Sequence, residues 1–232
     1  MQTVLVTGAN RGLGLEFCRQ YAQQGWRVLA ACRQPEAADA LLQLAEQYTD
    51  SVQVLALDVV NHQQIDALAL QLQGVDIDVL ISNAGIYGDT FGHGFGQLDY
   101  QAWQTTFAVN VLGAMKMAEA FHPHLLQSRQ GLFVAISSLM GSMADNGSGG
   151  SILYRSSKAA LNAAMKSLAI DVRPQGLGVL IFHPGWVKTD MGGQNALIDV
   201  QTSIQGMRQV IADFDLAQTG QFIKYDGSPM PW

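Results

Sequence analysis

Seven short aliphatic runs alternate along the chain with segments of helical length, and no other feature restricts the possible folds so strongly. The runs are TVLVT (3–7), WRVLAAC (26–32), VQVLALDV (52–59), IDVLISNAG (77–85), GLFVAISS (131–138), LGVLIFHPG (177–185) and GQFIKYD (220–226). TVLVT, β-branched and without polar alternation, reads as a strand buried on both faces. Helical patterns fall between the runs at residues 15–24, 36–47, 63–73 and 100–127, and from Tyr154 to Val172. Gly25 stops the first, and Arg173-Pro174 ends the last. Strands and helices in this alternation build βαβ units, hence a mainly parallel sheet with helices on both faces. The expected fold is α/β, a doubly wound seven-stranded sheet. No repeat or low-complexity linker divides residues 1–232, so a single domain is expected.

Ligands of a doubly wound sheet bind outside the carboxyl ends of its strands. Those ends carry the glycine turn 8–14, Cys32-Arg33, Asp58, residues 83–85, Ser137-Ser138 and Pro184-Gly185. Six strand ends bearing Gly, Asn, Asp, Ser or Arg exceed what loop chemistry requires, and their convergence predicts a site on that edge.

TGANRGLG (7–14) follows a strand and opens a helix, the context of a dinucleotide-binding turn in a Rossmann sheet. Its spacing, Gly8-x-x-x-Gly12-x-Gly14, departs from the usual G-x-G-x-x-G. Glycines there let the backbone approach a pyrophosphate resting on the free N–H groups of the helix start. A site for NAD places a carboxylate on the second strand to hold the ribose 2′-hydroxyl. Here that strand ends in Arg33 with no acid beside it, and Arg11 lies within the glycine turn. Two guanidiniums suit a 2′-phosphate, so NADP(H) is the expected cofactor, although either arginine could instead be a solvated surface group.

SILYRSSKAA (151–160) sets Tyr154 one helical turn before Lys158, so the ammonium and the phenol share a face. The pair is either a packing accident or a device that lowers the phenol's pKa.

Bulk properties exclude other readings. Thirteen basic against nineteen acidic residues give a net charge of −6, and no basic run invites nucleic acid or an anionic membrane. Cys18 and Cys32 lack metal-type spacing and read as buried reduced thiols. The five histidines show no ligand spacing, so no metal is expected. No G-x-S-x-G elbow of a hydrolase is present. The amino terminus lacks a signal-peptide pattern and no apolar run reaches membrane length, so a cytoplasmic location is expected.

TGANRGLG, SNAG (82–85), Asn110 in FAVNVLG, ISS (136–138), YRSSK (154–158) and HPGWVKTD (183–190) together resemble the short-chain dehydrogenase/reductase family, in the family's order and over nearly the whole chain. HPGWVKTDMGG and the closing YDGSPMPW are most similar to its C-factor and sniffer type of carbonyl reductase. The resemblance implies NADPH-dependent reduction of an aldehyde or ketone, or oxidation of the alcohol, with Tyr154 as general acid. Lys158 would lower the phenol's pKa and hold the nicotinamide ribose. Ser138 would orient the carbonyl, although Ser137 is an alternative, and Asn110 would hold a relay water. Gly8, Asn10, Arg11, Gly12, Leu13, Gly14, Arg33 and Val59 join the implied cofactor set. Asp58 would bind adenine or, equally, cap the next helix. Asn83, Ala84 and Gly85 would line the ribose, while Pro184, Gly185, Val187 and Thr189 would hold carboxamide and phosphates. Trp186 would cover cofactor or substrate, or instead join the core. Loops 86–97, 138–153 and 186–212 would build an open substrate pocket, with residues 192–212 offering little material for a lid. Small residues in AALNAAMKSLA (159–169) fit a homodimer, or a tetramer. A rival reading is an NADP(H)-binding regulatory protein that uses the pocket as a redox sensor, but a pure binder needs no proton donor.

Overall fold

Each aliphatic run becomes a strand: β1 (Thr3–Thr7), β2 (Arg27–Cys32), β3 (Val52–Ala56), β4 (Val79–Ser82), β5 (Leu132–Ile136), β6 (Gly178–His183) and β7 (Gln221–Lys224). The computed structural model describes residues 1–232. All six pairings are parallel, in the order β3-β2-β1-β4-β5-β6-β7. The expectation of a mainly parallel sheet is thus met in full.

Seven helices cover it: α1 (Gly12–Gln23), α2 (Asp39–Gln47), α3 (His62–Gln71), α4 (Tyr100–Phe107), α5 (Gly113–Gln127), α6 (Ile152–Val172) and α7 (Val200–Ala212). Because side chains alternate across a strand, one run feeds two cores. Leu5, Leu29 and Leu80 face Ile65 of α3, Phe121 of α5 and Met165 of α6. Val4, Val6 and Val28 face Phe17 of α1, Leu41 of α2 and Met207 of α7. Apolar residues at successive strand positions are what this two-sided burial demands. No helix is long and apolar enough to cross a membrane.

The strands stop short of the aliphatic runs at their carboxyl ends, since residues 57–59, 83–85, 137–138 and 184–185 leave the ladder to form the site. The helical pattern at 100–127 is interrupted by a π-helical turn, Ala108–Leu112, between α4 and α5. The pattern at 36–47 divides into a 3₁₀ turn, Pro35–Ala37, followed by α2.

One expectation is corrected. The segment 186–212 is loop only as far as Asp199, which caps α7 by accepting from the Thr202 amide at 2.7 Å. Ile204, Met207 and Ile211 then bury α7 against the sheet beside α1. Ile204→Ala should accordingly cost about 2–5 kcal/mol in urea unfolding, while exposed Gln205→Ala should stay within about 0.5 kcal/mol. A surface loop would respond to neither substitution.

Candidate active site

The order of the sheet reverses between β1 and β4, and at that switch point the strand ends diverge into a cavity of about 830 Å³. Gly8 and Gly12 adopt left-handed conformations, φ 65° and 55°, which turn the chain from β1 into α1. Arg11 precedes α1 in an extended conformation and supplies no side-chain cap, so the first N–H groups of the helix are left for a ligand. Asn10, Leu13, Gly8 and Gly12 line the cavity here. Gly14 does not, because it lies against the turn itself, where a Cβ would stand 2.2 Å from the Gly8 carbonyl oxygen. A residue with a side chain would push α1 off the turn.

Asn83 acts on the backbone of the turn. Its Nδ2 donates to the carbonyls of Thr7 (2.9 Å) and Gly8 (3.2 Å), and the Asn83 and Ala84 amides both donate to Thr7 Oγ1 at 3.1 Å. Thr7, which sequence reasoning passed over, therefore stitches β4 to the glycine turn. Asn83, Ala84 and Gly85 still line the cavity.

At the outer end stand Arg33, Asp58 and Val59. Asp58 is not the helix cap: α3 is capped by Asn61, which accepts from the Gln64 amide at 3.0 Å. Asp58 accepts from the Val60 amide at 3.2 Å and lines the cavity. Arg11 forms an ion pair with exposed Asp190 across the mouth, whereas exposed Arg33 has no carboxylate partner. Pro184, Gly185, Val187 and Thr189 form the opposite wall, held by Thr189 Oγ1, which accepts from the Gly192 amide at 3.1 Å. Trp186 is half exposed at the rim, with Nε1 donating to the Gly192 carbonyl at 2.7 Å.

Tyr154, Lys158 and Ser138 meet at the inner end. The choice between the two serines follows from their bonds. Ser137 is buried and donates to Asn162 Oδ1 at 2.5 Å, which leaves Ser138 as the hydroxyl facing the cavity, accepting from the Met140 amide at 3.1 Å. Asn110 sits in the π turn with its amide consumed. Oδ1 accepts from the Ile86 amide at 2.9 Å, while Nδ2 donates to the Ile86 carbonyl (2.9 Å) and to Ser157 Oγ (3.0 Å). These bonds clamp the strand-end loop after β4. Tyr87, Met140 and Met191 also line this end, and nothing in the sequence separates those methionines from the others. Cys18 and Cys32 are free, buried thiols.

The electrostatics differ from the expected picture. Lys158 Nζ lies 5.6 Å from the centre of the Tyr154 ring and donates to the Ile136 carbonyl at 2.8 Å. Burial pushes the ammonium's pKa down to about 8 and the phenol's up to about 12. For the phenol, burial outweighs the Ser138 hydroxyl, which acts to lower it, and nearby Tyr87 adds to the rise. The lysine alone therefore does not make Tyr154 acidic. Between pH 8 and about 10 the unfolded chain holds a Lys158 proton that the folded chain has released, so the contribution of Lys158 to stability rises with pH. Above pH 10 the unfolded Tyr154 ionises first and stability falls again. Without nucleotide, the difference in unfolding free energy between wild type and Lys158→Met should climb across the first window by up to about 3 kcal/mol. Taking the difference removes the opposing fall that the buried Cys18 and Cys32 thiols bring from about pH 9. A difference that stays flat from pH 8 to 10 would contradict the burial of a charged lysine.

No group of three His, Cys, Asp or Glu side chains is placed to hold a metal ion. Comparison with known proteins gives a consistent picture. The chain is 41% identical over 156 residues to the C-signal of Myxococcus xanthus, covering 67% of this chain and 93% of that protein. Its structure resembles the carbonyl reductase Sniffer of D. melanogaster (TM-score 0.92, 33% identity, 100% of both chains covered). It equally resembles an NADPH-bound carbonyl reductase from chicken fatty liver (TM-score 0.92, 31% identity, 100% of this chain and 99% of that one covered). With the short chain dehydrogenase pattern matched over residues 2–197, the chain belongs to the short-chain dehydrogenase family of oxidoreductases.

Proposed function

We propose that this oxidoreductase is an NADP(H)-dependent carbonyl reductase, which reduces an aldehyde or ketone with Tyr154 as proton donor. The observation that carries the reading is one cavity with a phosphate-type glycine turn at one end and the Ser138–Tyr154–Lys158 cluster at the other. The residues present fit the cofactor. The Gly8–Gly12 backbone and the uncapped start of α1 suit a pyrophosphate, and the carboxylate that would hold a 2′-hydroxyl is replaced by Arg33. NADPH-bound and NADP-bound relatives with the same fold support this choice.

When bound, the nicotinamide supplies the hydride. The protein's own residues do the rest. The Ser138 hydroxyl donates to the carbonyl oxygen and fixes its position, so the charge that develops there meets a preorganised donor. Tyr154 delivers the proton to that oxygen. A phenol buried to a pKa of about 12 stays protonated at neutral pH, which suits the acid. Release of its proton gains from any interaction that keeps Lys158 charged. Lys158 now has one acceptor, the Ile136 carbonyl; ribose hydroxyls of the cofactor would add more. Tyr87, Met140, Trp186 and Met191 line the cavity with largely apolar side chains, which favours an uncharged carbonyl compound.

NADPH oxidation against a panel of small aldehydes, ketones and quinones tests the proposal. Turnover should fall by about 10²–10⁴-fold in Tyr154→Phe. Arg33→Ala should weaken NADPH by about ten- to a hundredfold and barely affect NADH, since a charge-assisted contact to phosphate is lost. Arg11→Ala should cost less, because Asp190 already occupies its guanidinium. NADPH binding without turnover of any carbonyl would shift the reading to a regulatory nucleotide binder.

A further inference from the structure

We infer that Asp89, in the loop after β4, is a positioning residue for Tyr154: its carboxylate accepts the amide of Tyr154 itself and so sets where the phenol stands. The inference rests on Tyr154 being the proton donor.

α6 has no cap of its own. Ser151 precedes it in a left-handed conformation, φ 46°, the one non-glycine residue in the chain with positive φ. Its hydroxyl makes no capping bond; it pairs instead with Tyr87 Oη at 2.5 Å. The cap comes from more than sixty residues away: Asp89 Oδ1 accepts from the Leu153 amide at 3.1 Å and Oδ2 from the Tyr154 amide at 2.8 Å. A carboxylate suits that place because the amino-terminal turn of a helix presents unpaired N–H groups and the positive end of its dipole.

The loop that carries Asp89 is held at every preceding residue. Both backbone groups of Ile86 are taken by the Asn110 amide. The Tyr87 ring lies 5.0 Å from the Tyr154 ring. Gly88, φ 79°, runs so close to α4 that a Cβ would stand 2.0 Å from Oγ1 of buried Thr106. Past Asp89 the contacts end, and Phe91 and Phe95 are fully exposed. Asp89 is thus the last fixed point of a chain of contacts that runs from Asn110 to the amide of the proton donor. Without it the Leu153 and Tyr154 amides have no remaining acceptor in the protein, and Tyr154 can move relative to Ser138.

The test compares Asp89→Ala and Asp89→Asn in the full chain by two measurements. The first is steady-state kinetics with NADPH and a carbonyl compound the wild type reduces. Asp89→Ala should lower kcat by about ten- to a hundredfold, the scale set by an ångström of misplacement. KM for substrate and the dissociation constant of NADPH should stay within about twofold, since only positioning is lost. Asp89→Asn keeps one acceptor and should recover part of the rate. The second needs no turnover: tyrosine absorbance titration with Tyr154→Phe as the blank. In Asp89→Ala the phenol should titrate lower, toward the value of about 10 for a free one, as the turn loosens and the ring gains solvent. If the wild type reduces no carbonyl, the proposed function fails while the titration still decides the role of Asp89. Wild-type kcat and an unmoved phenol in Asp89→Ala would overturn the inference. A loss of kcat matched by an equal loss of NADPH binding and melting temperature would overturn it too, as a folding defect. Should Asp89→Ala not fold, Asp89→Asn decides alone: a several-fold lower kcat with unchanged NADPH affinity supports the inference, and wild-type kinetics overturn it.

Discussion

A parallel sheet buried on both faces leaves polar chemistry one place to go, the carboxyl edge. Every strand from β1 to β6 has apolar residues on both sides, and the helices on either face seal them in. Backbone groups that leave the ladder at that edge must find partners elsewhere or be left for a ligand. Between β1 and β4 the helices depart to opposite faces, and the gap between them becomes the cavity. Thr7 and Asn83 hold that gap to shape by tying the two diverging strand ends together with four hydrogen bonds. The cofactor end of the site is in this sense a consequence of topology, refined by one threonine and one asparagine.

The reacting end obeys a second constraint, the cost of burial. Tyr154 and Lys158 are both nearly inaccessible, so each is pushed toward its neutral form. Proximity of a lysine is therefore not by itself activation, because the phenol's own desolvation dominates its pKa. The effect expected from the spacing alone, a lowered phenol pKa, needs a partner that restores the ammonium's solvation. Lys158 lines the cavity and lies beside the Tyr154 ring, so a ligand that bonds its ammonium would also act on the phenol.

Around this pair the protein spends its buried polar groups on geometry. Asn110 uses its whole amide on Ile86 and Ser157, Asn162 accepts the hydroxyl of Ser137, and the Leu139 amide donates to His183 Nδ1 at 3.1 Å. Burial lowers the His183 pKa to about 4, so near neutral pH the ring is uncharged and able to accept. These contacts leave Ser138 as the hydroxyl free to meet a substrate. Asn110 and Asn83, which read as site residues in the sequence, also hold the backbone of the loops around the cavity.

What the sequence by itself determined is the class of fold and the edge on which the site lies. Both follow from short-range patterns, unbroken apolar runs in strands buried on both faces and glycine where φ must be positive, which need no partner to be visible. Element limits, the helix α7 and the wholly parallel pairing required the structure, because each depends on burial against distant residues. The same holds within the site. Gly14 looked like a ligand contact and is a packing contact; Asp58 looked equally like a cap, but Asn61 takes that place. Arg11 and Arg33 looked alike until Asp190, far along the chain, was seen to engage only one of them. Asp89 carried no signal at all, since its partner is an amide on a helix more than sixty residues away. Tertiary structure decided these points because hydrogen bonding and desolvation depend on which atoms meet in space, and spacing along the chain reports that only within a turn or two.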